Sequence, residues 1–372
     1  MSTPQTVIRR VDVFTVRLHH AGGPFAMSGG RVSTDQDATV VRVETDGGLV
    51  GWGEQCVFTP SFLPGYGPTT RAVLGLLAPV VLGADACQVD VVSARMDAAV
   101  KGYAYAKSAL DIACWDVLGK ATGLRVSDLL GGTQQEELPL YTGVGLAPPE
   151  EMRARCAEVL AAGFRQVQLK VGTQWRDDVD RIEACVDALG DVDRVIVDAN
   201  GYWPQADAVR VVAAVDGLDI FVEQPCASIE ECAQVRRSSR RPLILDESLT
   251  GIGELVRARD SGALDAVRLK LSRLGGITPT RRARDLAAAF GLPLTVEDSG
   301  GGDVVTAASM HLNCSLPPKL VLSGYLPSAM VVERFATGTP AAERGRARLP
   351  AGPGLGIEVD EAAVGEPVLR VE

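Results

Sequence analysis

The chain has 372 residues, 46% of them apolar, and a net charge of −10 at neutral pH. This length allows two or three domains around a sizeable core, and the composition excludes a disordered polypeptide. No basic stripe interrupts the acidic balance, which argues against nucleic acid or an anionic membrane as a partner.

The opening MSTPQTVIRRVDVF holds no signal-peptide core, and the longest apolar stretch, residues 72–84, is too short to span a bilayer. Eight cysteines (56, 87, 114, 156, 185, 226, 232 and 314) form no C-x-x-C pair and lie singly in apolar segments. Together these features predict a soluble cytoplasmic protein without a disulfide framework. Apolar and polar residues alternate over 6–18, predicting a first strand, and the Gly-rich 19–33 reads as a loop. Residues 37–48 and 49–56 read as two strands joined at Asp46-Gly47-Gly48, a hairpin signal. The following FTPSFLPGYGPTT is long enough to be a functional loop, with Phe58, Phe62 and Tyr66 as candidate pocket walls. From Arg71 to about Leu130 the pattern is helical; Tyr103 and Tyr105, before one helix, read as packing residues.

An alternating β and α rhythm starts near Leu138. Its strands are LPLYTGVG, QVQLKVG, RVIVDAN, DIFVEQP, PLILDES, AVRLKLS, PLTVEDS and LVLSG, separated by amphipathic helices that end near glycines. The expected architecture is an α+β capping domain over 1–130 and an eight-stranded (β/α) barrel over 131–330. A C-terminal segment, 331–372, is expected to return to the capping domain.

Within the barrel rhythm each strand closes on a charge: Lys170, Asp198, Glu223, Asp246, Lys270 and Glu297, spaced 28, 25, 23, 24 and 27 residues apart. Such a period places one charge at each strand's carboxyl end, at the mouth where barrel enzymes build their sites. A lone strand-end acid is ordinarily a cap and a lone lysine a rim residue; the repeated spacing is what distinguishes these. Three adjacent carboxylates, Asp198, Glu223 and Asp246, repel one another unless a cation sits among them. Their hard oxygens suit Mg²⁺, with Mn²⁺ as the alternative. None of the three histidines (19, 20 and 311) falls on the rhythm. Lys170 and Lys270, on strands 2 and 6 of eight, are expected to face each other across the metal strands. That pattern suits removal of the proton α to a carboxylate, where a metal stabilises the developing enediolate. Burial and nearby positive charge lower a lysine's pKa toward that of a useful base. Two opposed lysines permit racemisation or epimerisation, and with a β-leaving group, dehydration. A non-catalytic binding or scaffolding barrel is the reading from another class. The Gly300-Gly301-Gly302 run is either an anion nest or a flexible turn.

On these residues, together with GWGE at 51–54, YAKSALDIACWD at 105–116, LLGG at 129–132, K-x-S-x-x-GG and GPGLGIE, the chain resembles the enolase superfamily. Within it the chain is most similar to the muconate-lactonizing-enzyme subgroup (mandelate racemase/muconate lactonizing enzyme family). The resemblance implies a (β/α)7β TIM-like barrel with an N-terminal α+β capping domain. It also implies Asp198, Glu223 and Asp246 as Mg²⁺ ligands, Lys170 and Lys270 as the acid/base pair, and substrate loops near 19–33 and 55–68. Barrels of this family commonly associate, which implies a homo-oligomer acting on a small carboxylate. Where the subgroup carries Lys-x-Lys, this chain has Gln168-Leu169-Lys170. That form, with PSFLPGYG and EDSGGGD, looks most like the branch containing proline-betaine and hydroxyproline epimerases and cis-3-hydroxy-L-proline dehydratases. In that branch a tryptophan is expected where Gly300 stands, and its absence argues against a betaine. Glu297 and Asp298 remain candidates for pairing with a substrate ammonium. The candidate substrate-binding set is Gln168, Asn200, Phe62, Tyr66, Glu297, Asp298 and Gly300. The leading expectation is epimerisation of a proline-like or N-substituted amino acid, followed by syn-dehydration of a 3-hydroxyproline-like acid and then muconate cycloisomerisation.

Overall fold

A computed structural model describes residues 5–372. The alternating N-terminal segment forms β1 (Ile8–His19), which buries Val11, Val13 and Leu18. It pairs antiparallel with β2 (Asp35–Thr45), and β2 with β3 (Val50–Val57). The hairpin between β2 and β3 closes where Gly48 takes φ +78, a conformation glycine adopts without strain. Helices α1 (Gly67–Val81), α2 (Val89–Ala99) and α3 (Ala104–Thr122) follow. Most of α3 is buried, because it packs against this sheet and also against the following barrel. Gly51 and Gly53 make the sheet contact possible: a Cβ at either would lie 2.2 and 1.8 Å from carbonyl oxygens of α3.

The barrel strands are β4 (Tyr141–Val144), β5 (Gln166–Lys170), β6 (Arg194–Asp198), β7 (Phe221–Glu223), β8 (Leu243–Leu245), β9 (Ala266–Lys270) and β10 (Leu294–Glu297). They form one parallel sheet in sequence order from β4 to β10. Between or after them lie α4 (Pro149–Ala161), α5 (Trp175–Leu189), α6 (Gln205–Ala214), α7 (Ile229–Ser238), α8 (Ile252–Asp260), α9 (Ile277–Ala289) and α10 (Asp303–Cys314). The amphipathic α7 starts at a capping box in which Ser228 and Glu231 exchange hydrogen bonds.

The eighth expected strand, LVLSG, is not a regular strand. Residues 321–324 instead close the curled sheet through isolated bridges: Leu322 N–H donates to Leu294 O at 2.8 Å, and Tyr141 N–H to Gly324 O at 3.0 Å. The architecture is a TIM-like barrel with an N-terminal α+β capping domain. Near the other end of the chain, β11 (Leu369–Val371) pairs antiparallel with β1. The predicted loop 19–33 contains a short hairpin, Phe25–Met27 with Arg31–Ser33, and Gly29 N–H donates to Gly172 O at 2.8 Å. No described helix is long and apolar enough to cross a membrane.

Candidate active site

Parallel pairing levels the strand ends. Lys170 stands opposite Asp198, Asp198 opposite Glu223, and Lys270 opposite Glu297, while Asp246 follows the last residue of β8. Residues two apart share a strand face, so Gln168 lies on the side of Lys170, and Arg268 on that of Lys270. All of these side chains are buried or nearly so.

The charges are interleaved. Lys170 Nζ donates to Asp198 Oδ2 at 2.5 Å, and Lys270 Nζ lies 2.5 Å from Glu297 Oε1 and 3.3 Å from Asp246 Oδ2. Arg273 donates to Asp246 Oδ1 at 2.6 Å, Gln168 Nε2 to Glu223 Oε2 at 2.9 Å, and Arg268 Nε is 2.8 Å from Glu223 Oε1. Asn200, held at φ +45, donates its side-chain N–H to Asp198 and Glu247, both at 2.9 Å. A short polar side chain tolerates that left-handed backbone better than most.

Burial pushes the Glu223 carboxyl up to about 7, with Arg268 opposing and Asp198 and Asp246 adding to the rise. Burial acts the same way on Asp246, but Lys270 and Arg273 prevail and hold it at about 2. For Lys270 burial favours the neutral amine, yet Asp246 and Glu297 outweigh it and raise its pKa well above the ordinary value. The sequence expectation of a depressed lysine pKa is therefore reversed at Lys270 while it faces these two acids.

Above the strand ends lies a cavity open to solvent, about 500 Å³ including the space at its mouth. Lys170, Asp198, Asp246 and Lys270 form its charged side, with Gln168, Asn200, Asp298 and Ser299 beside them. Lys170 on β5 and Lys270 on β9 enter it from strands separated by β6, β7 and β8. Phe25, Met27, Phe58 and Phe62 form an apolar wall.

Several candidates are placed differently from their expectation. Tyr66 is 55% exposed and lies outside this cavity, because its loop turns toward α1 after Phe62. Glu297 is fully buried and occupied by Lys270, Arg268 and the Tyr141 hydroxyl, so it presents nothing to a ligand. Gly300 lines no part of the cavity; a Cβ there would lie 2.2 Å from Gln36 Oε1. The glycine run is no open anion nest either, since Gly301 and Gly302 N–H donate to Gln36 and Glu54. Asp298 does reach the cavity, while its Oδ2 accepts from the backbone and hydroxyl of Ser272. Phe25 and Met27 on the cavity wall come from the 19–33 loop expected near the substrate without being singled out there, whereas Tyr325 and Met330 on the wall, and Arg268, Arg273 and Tyr141 around the acids, had no sequence signal.

A hard dication fits the donor set, because Asp198, Glu223 and Asp246 offer only carboxylate oxygens from adjacent strands. Buried Glu223 Oε1 accepts no hydrogen bond, although Arg268 Nε stands 2.8 Å from it as an ion-pair partner. The three acids are turned to Lys170, Arg268, Lys270 and Arg273, and among the described residues no group of three His, Cys, Asp or Glu side chains is arranged to hold a metal ion as it stands. Entry of a dication requires exchanging some of these ion pairs.

Two sequence profiles cover most of the chain. Residues 9–131 match the mandelate racemase/muconate lactonizing enzyme N-terminal domain, and residues 151–363 match the enolase C-terminal domain-like family. The chain belongs to the enolase superfamily. A cis-3-hydroxy-L-proline dehydratase from Roseibium aggregatum is 40% identical over 98% of this chain and 99% of that protein. An N-succinyl-L-Arg/Lys racemase from Bacillus cereus is 29% identical over 96% of this chain and 97% of that one. Among solved structures, a mandelate racemase/muconate lactonizing enzyme from Roseovarius nubinhibens ISM complexed with magnesium superposes with a TM-score of 0.95. It is 37% identical, covering 98% of this chain and 100% of that one. The enolase-superfamily relatives are named for dehydration, racemisation and cycloisomerisation, so superfamily membership establishes an enzyme and leaves the reaction to the site.

Proposed function

We propose that this enolase-superfamily enzyme removes the α-proton of a small cyclic α-amino acid, and that its reaction is dehydration of a cis-3-hydroxyproline-type acid. The observation that carries the reading is the placement of Lys170 and Lys270 on opposite sides of one cavity, with Asp198 and Asp246 between them.

Asp198, Glu223 and Asp246 would hold Mg²⁺, which when bound supplies positive charge to stabilise an enediolate. Lys170 leaves Asp198 and Lys270 leaves Asp246 while keeping Glu297, and each turns to the substrate. One, as the neutral amine, takes the α-proton; the other, as the ammonium, gives a proton to the departing hydroxyl. The Cα–H and C3–O bonds break, water leaves, and the resulting enamine tautomerises to a cyclic imine. In a cis-3-hydroxyproline the α-hydrogen and the hydroxyl lie on opposite ring faces. The elimination is therefore anti, and amines on opposite sides suit it better than the syn course expected from sequence. The apolar wall of Phe25, Met27, Phe58 and Phe62 suits the ring carbons. Asp298 is the acid available to a ring ammonium. The relative named as a cis-3-hydroxy-L-proline dehydratase supports this reading at 40% identity.

Epimerisation is the second reading, supported by the same opposed lysines and by the racemase relative. Incubating cis-3-hydroxy-L-proline, its trans isomer and L-proline with enzyme and Mg²⁺ in D₂O, followed by NMR, separates the two. Dehydration consumes the cis acid and yields the imine. Epimerisation leaves the acid intact with α-deuterium in both stereoisomers, and α-exchange in none of the compounds contradicts the assigned substrate class.

A further inference from the structure

Beneath the strand-end charges one cation touches both halves of the site. Arg268 is fully buried on β9, two residues before Lys270 and on the same face of the strand. Its Nε lies 2.8 Å from Glu223 Oε1, and its Nη1 donates to Glu297 Oε2 at 3.0 Å. Glu297 in turn holds Lys270 Nζ at 2.5 Å through its other oxygen. The guanidinium carbon lies over the Tyr141 ring, 4.3 Å from its centroid, while the Tyr141 hydroxyl donates to Glu297 at 2.8 Å. Arg268 Nε and Nη2 make no hydrogen bond, so its contact with Glu223 is an ion pair, and its one hydrogen bond runs from Nη1 to Glu297. A core position could be filled by an apolar side chain, and burying a charge is costly unless its partners need it.

We infer that Arg268 is a positioning residue that fixes Glu223 directly and Lys270 through Glu297, coupling the metal side of the site to its proton-transfer side. This rests on the metal-dependent reading above. A planar, forked guanidinium contacts two acids at once, whereas an ammonium on a flexible stem is a point charge. The residue acts through Glu223 and Glu297 and lies outside the cavity that receives substrate.

The test compares Arg268→Lys, Arg268→Met and Glu297→Gln with the wild type. Mg²⁺ alone is titrated into metal-free protein by calorimetry, and turnover of cis-3-hydroxy-L-proline is measured at saturating Mg²⁺. Arg268→Lys keeps the charge, so its repulsion of the dication is unchanged and only the fork is lost. It is expected to fold, by circular dichroism, and to bind Mg²⁺ roughly 10- to 100-fold more weakly, the usual cost of losing a side chain that orients a metal ligand. Turnover is expected to fall about as much even at saturating Mg²⁺. Glu297→Gln leaves the Glu223 contact in place and is expected to lower turnover while retaining Mg²⁺ affinity. A merely structural arginine would lower the melting temperature and leave the Mg²⁺ affinity of folded Arg268→Lys unchanged, which overturns the inference. Should Arg268→Met fail to fold, Arg268→Lys decides alone. Asp246→Asn serves as the control on the underlying reading: if it binds Mg²⁺ as the wild type does, that reading fails, whatever Arg268 does.

Discussion

Two sets of buried carboxylates stand within this protein, and they are held by different kinds of donor. Glu54 and Asp111 belong to the capping domain, and each sits at the N-terminus of a barrel helix. Glu54 accepts from Gly302, Val304 and Val305 N–H at 2.5, 3.1 and 3.0 Å at the start of α10; Asp111 accepts from Thr278 N–H at 2.8 Å in α9. The strand-end acids Asp198, Glu223 and Asp246 are mostly met by ammonium, guanidinium and amide side chains. Burial pushes Glu54, Asp111 and Glu223 alike up to about 7. A displaced pKa therefore does not distinguish a site from a structural tie. The donors do: backbone amides at a helix terminus are fixed and cannot be traded, whereas side-chain cations can swing away and let a dication or a substrate in.

The difference between the two sets shows most strongly when the side-chain partners of the strand-end acids are removed. Lys170→Ala and Lys270→Ala are each expected to lower turnover by about 10²- to 10⁴-fold with circular dichroism unchanged, measured as loss of substrate by NMR. If either retains wild-type turnover, the strand-end charges are structural too. Chelation of the protein should abolish turnover and Mg²⁺ restore it, whereas the fold, followed by circular dichroism, should survive chelation. On the other side, Glu54→Ala should cost about 1–3 kcal/mol of stability by leaving buried amides without an acceptor, seen as a lower urea midpoint. Mg²⁺ affinity of the folded variant should stay within a few-fold of the wild type.

The smallest effect concerns pH. The Glu54 carboxyl, ordinarily near 4.5, is raised to about 7 by burial against the three N–H donors. The folded state thus holds this proton more tightly than the unfolded chain, and its contribution to stability falls as pH rises from 4.5 to about 7. Glu54→Gln cannot release that proton. The melting-temperature advantage of the wild type over Glu54→Gln should therefore shrink across this window and level off above it. A constant difference would place the Glu54 pKa outside the window.

The strand-end charges were legible because parallel register fixes their level and the βα repeat fixes their spacing. Arg268 was equally visible two residues before Lys270, but an arginine within a strand carries no local sign of being buried between two acids. Glu297 fell on the charge rhythm and still serves the interior, since Arg268 and Tyr141 come to it from β9 and β4. Of the two readings of the glycine run after Asp298, the anion nest falls for a related reason: its amides are taken by Gln36 and Glu54, more than 200 residues away. In the 58–66 loop, Phe62 and Tyr66 are alike in composition terms, and only packing decides that the first faces the cavity and the second faces solvent. The short hairpin at 25–33 hid in a Gly-rich stretch because its strands span three residues each.

In the proposed reaction Lys170 and Lys270 act on a substrate held between them by a dication on the acidic trio. The most direct measurement is transfer of solvent deuterium to, or loss of hydrogen from, the α-carbon of cis-3-hydroxy-L-proline, with and without Mg²⁺. Rapid consumption of the acid to its imine is expected with Mg²⁺ present, and none after chelation. Equal rates in both conditions would contradict the proposed reaction.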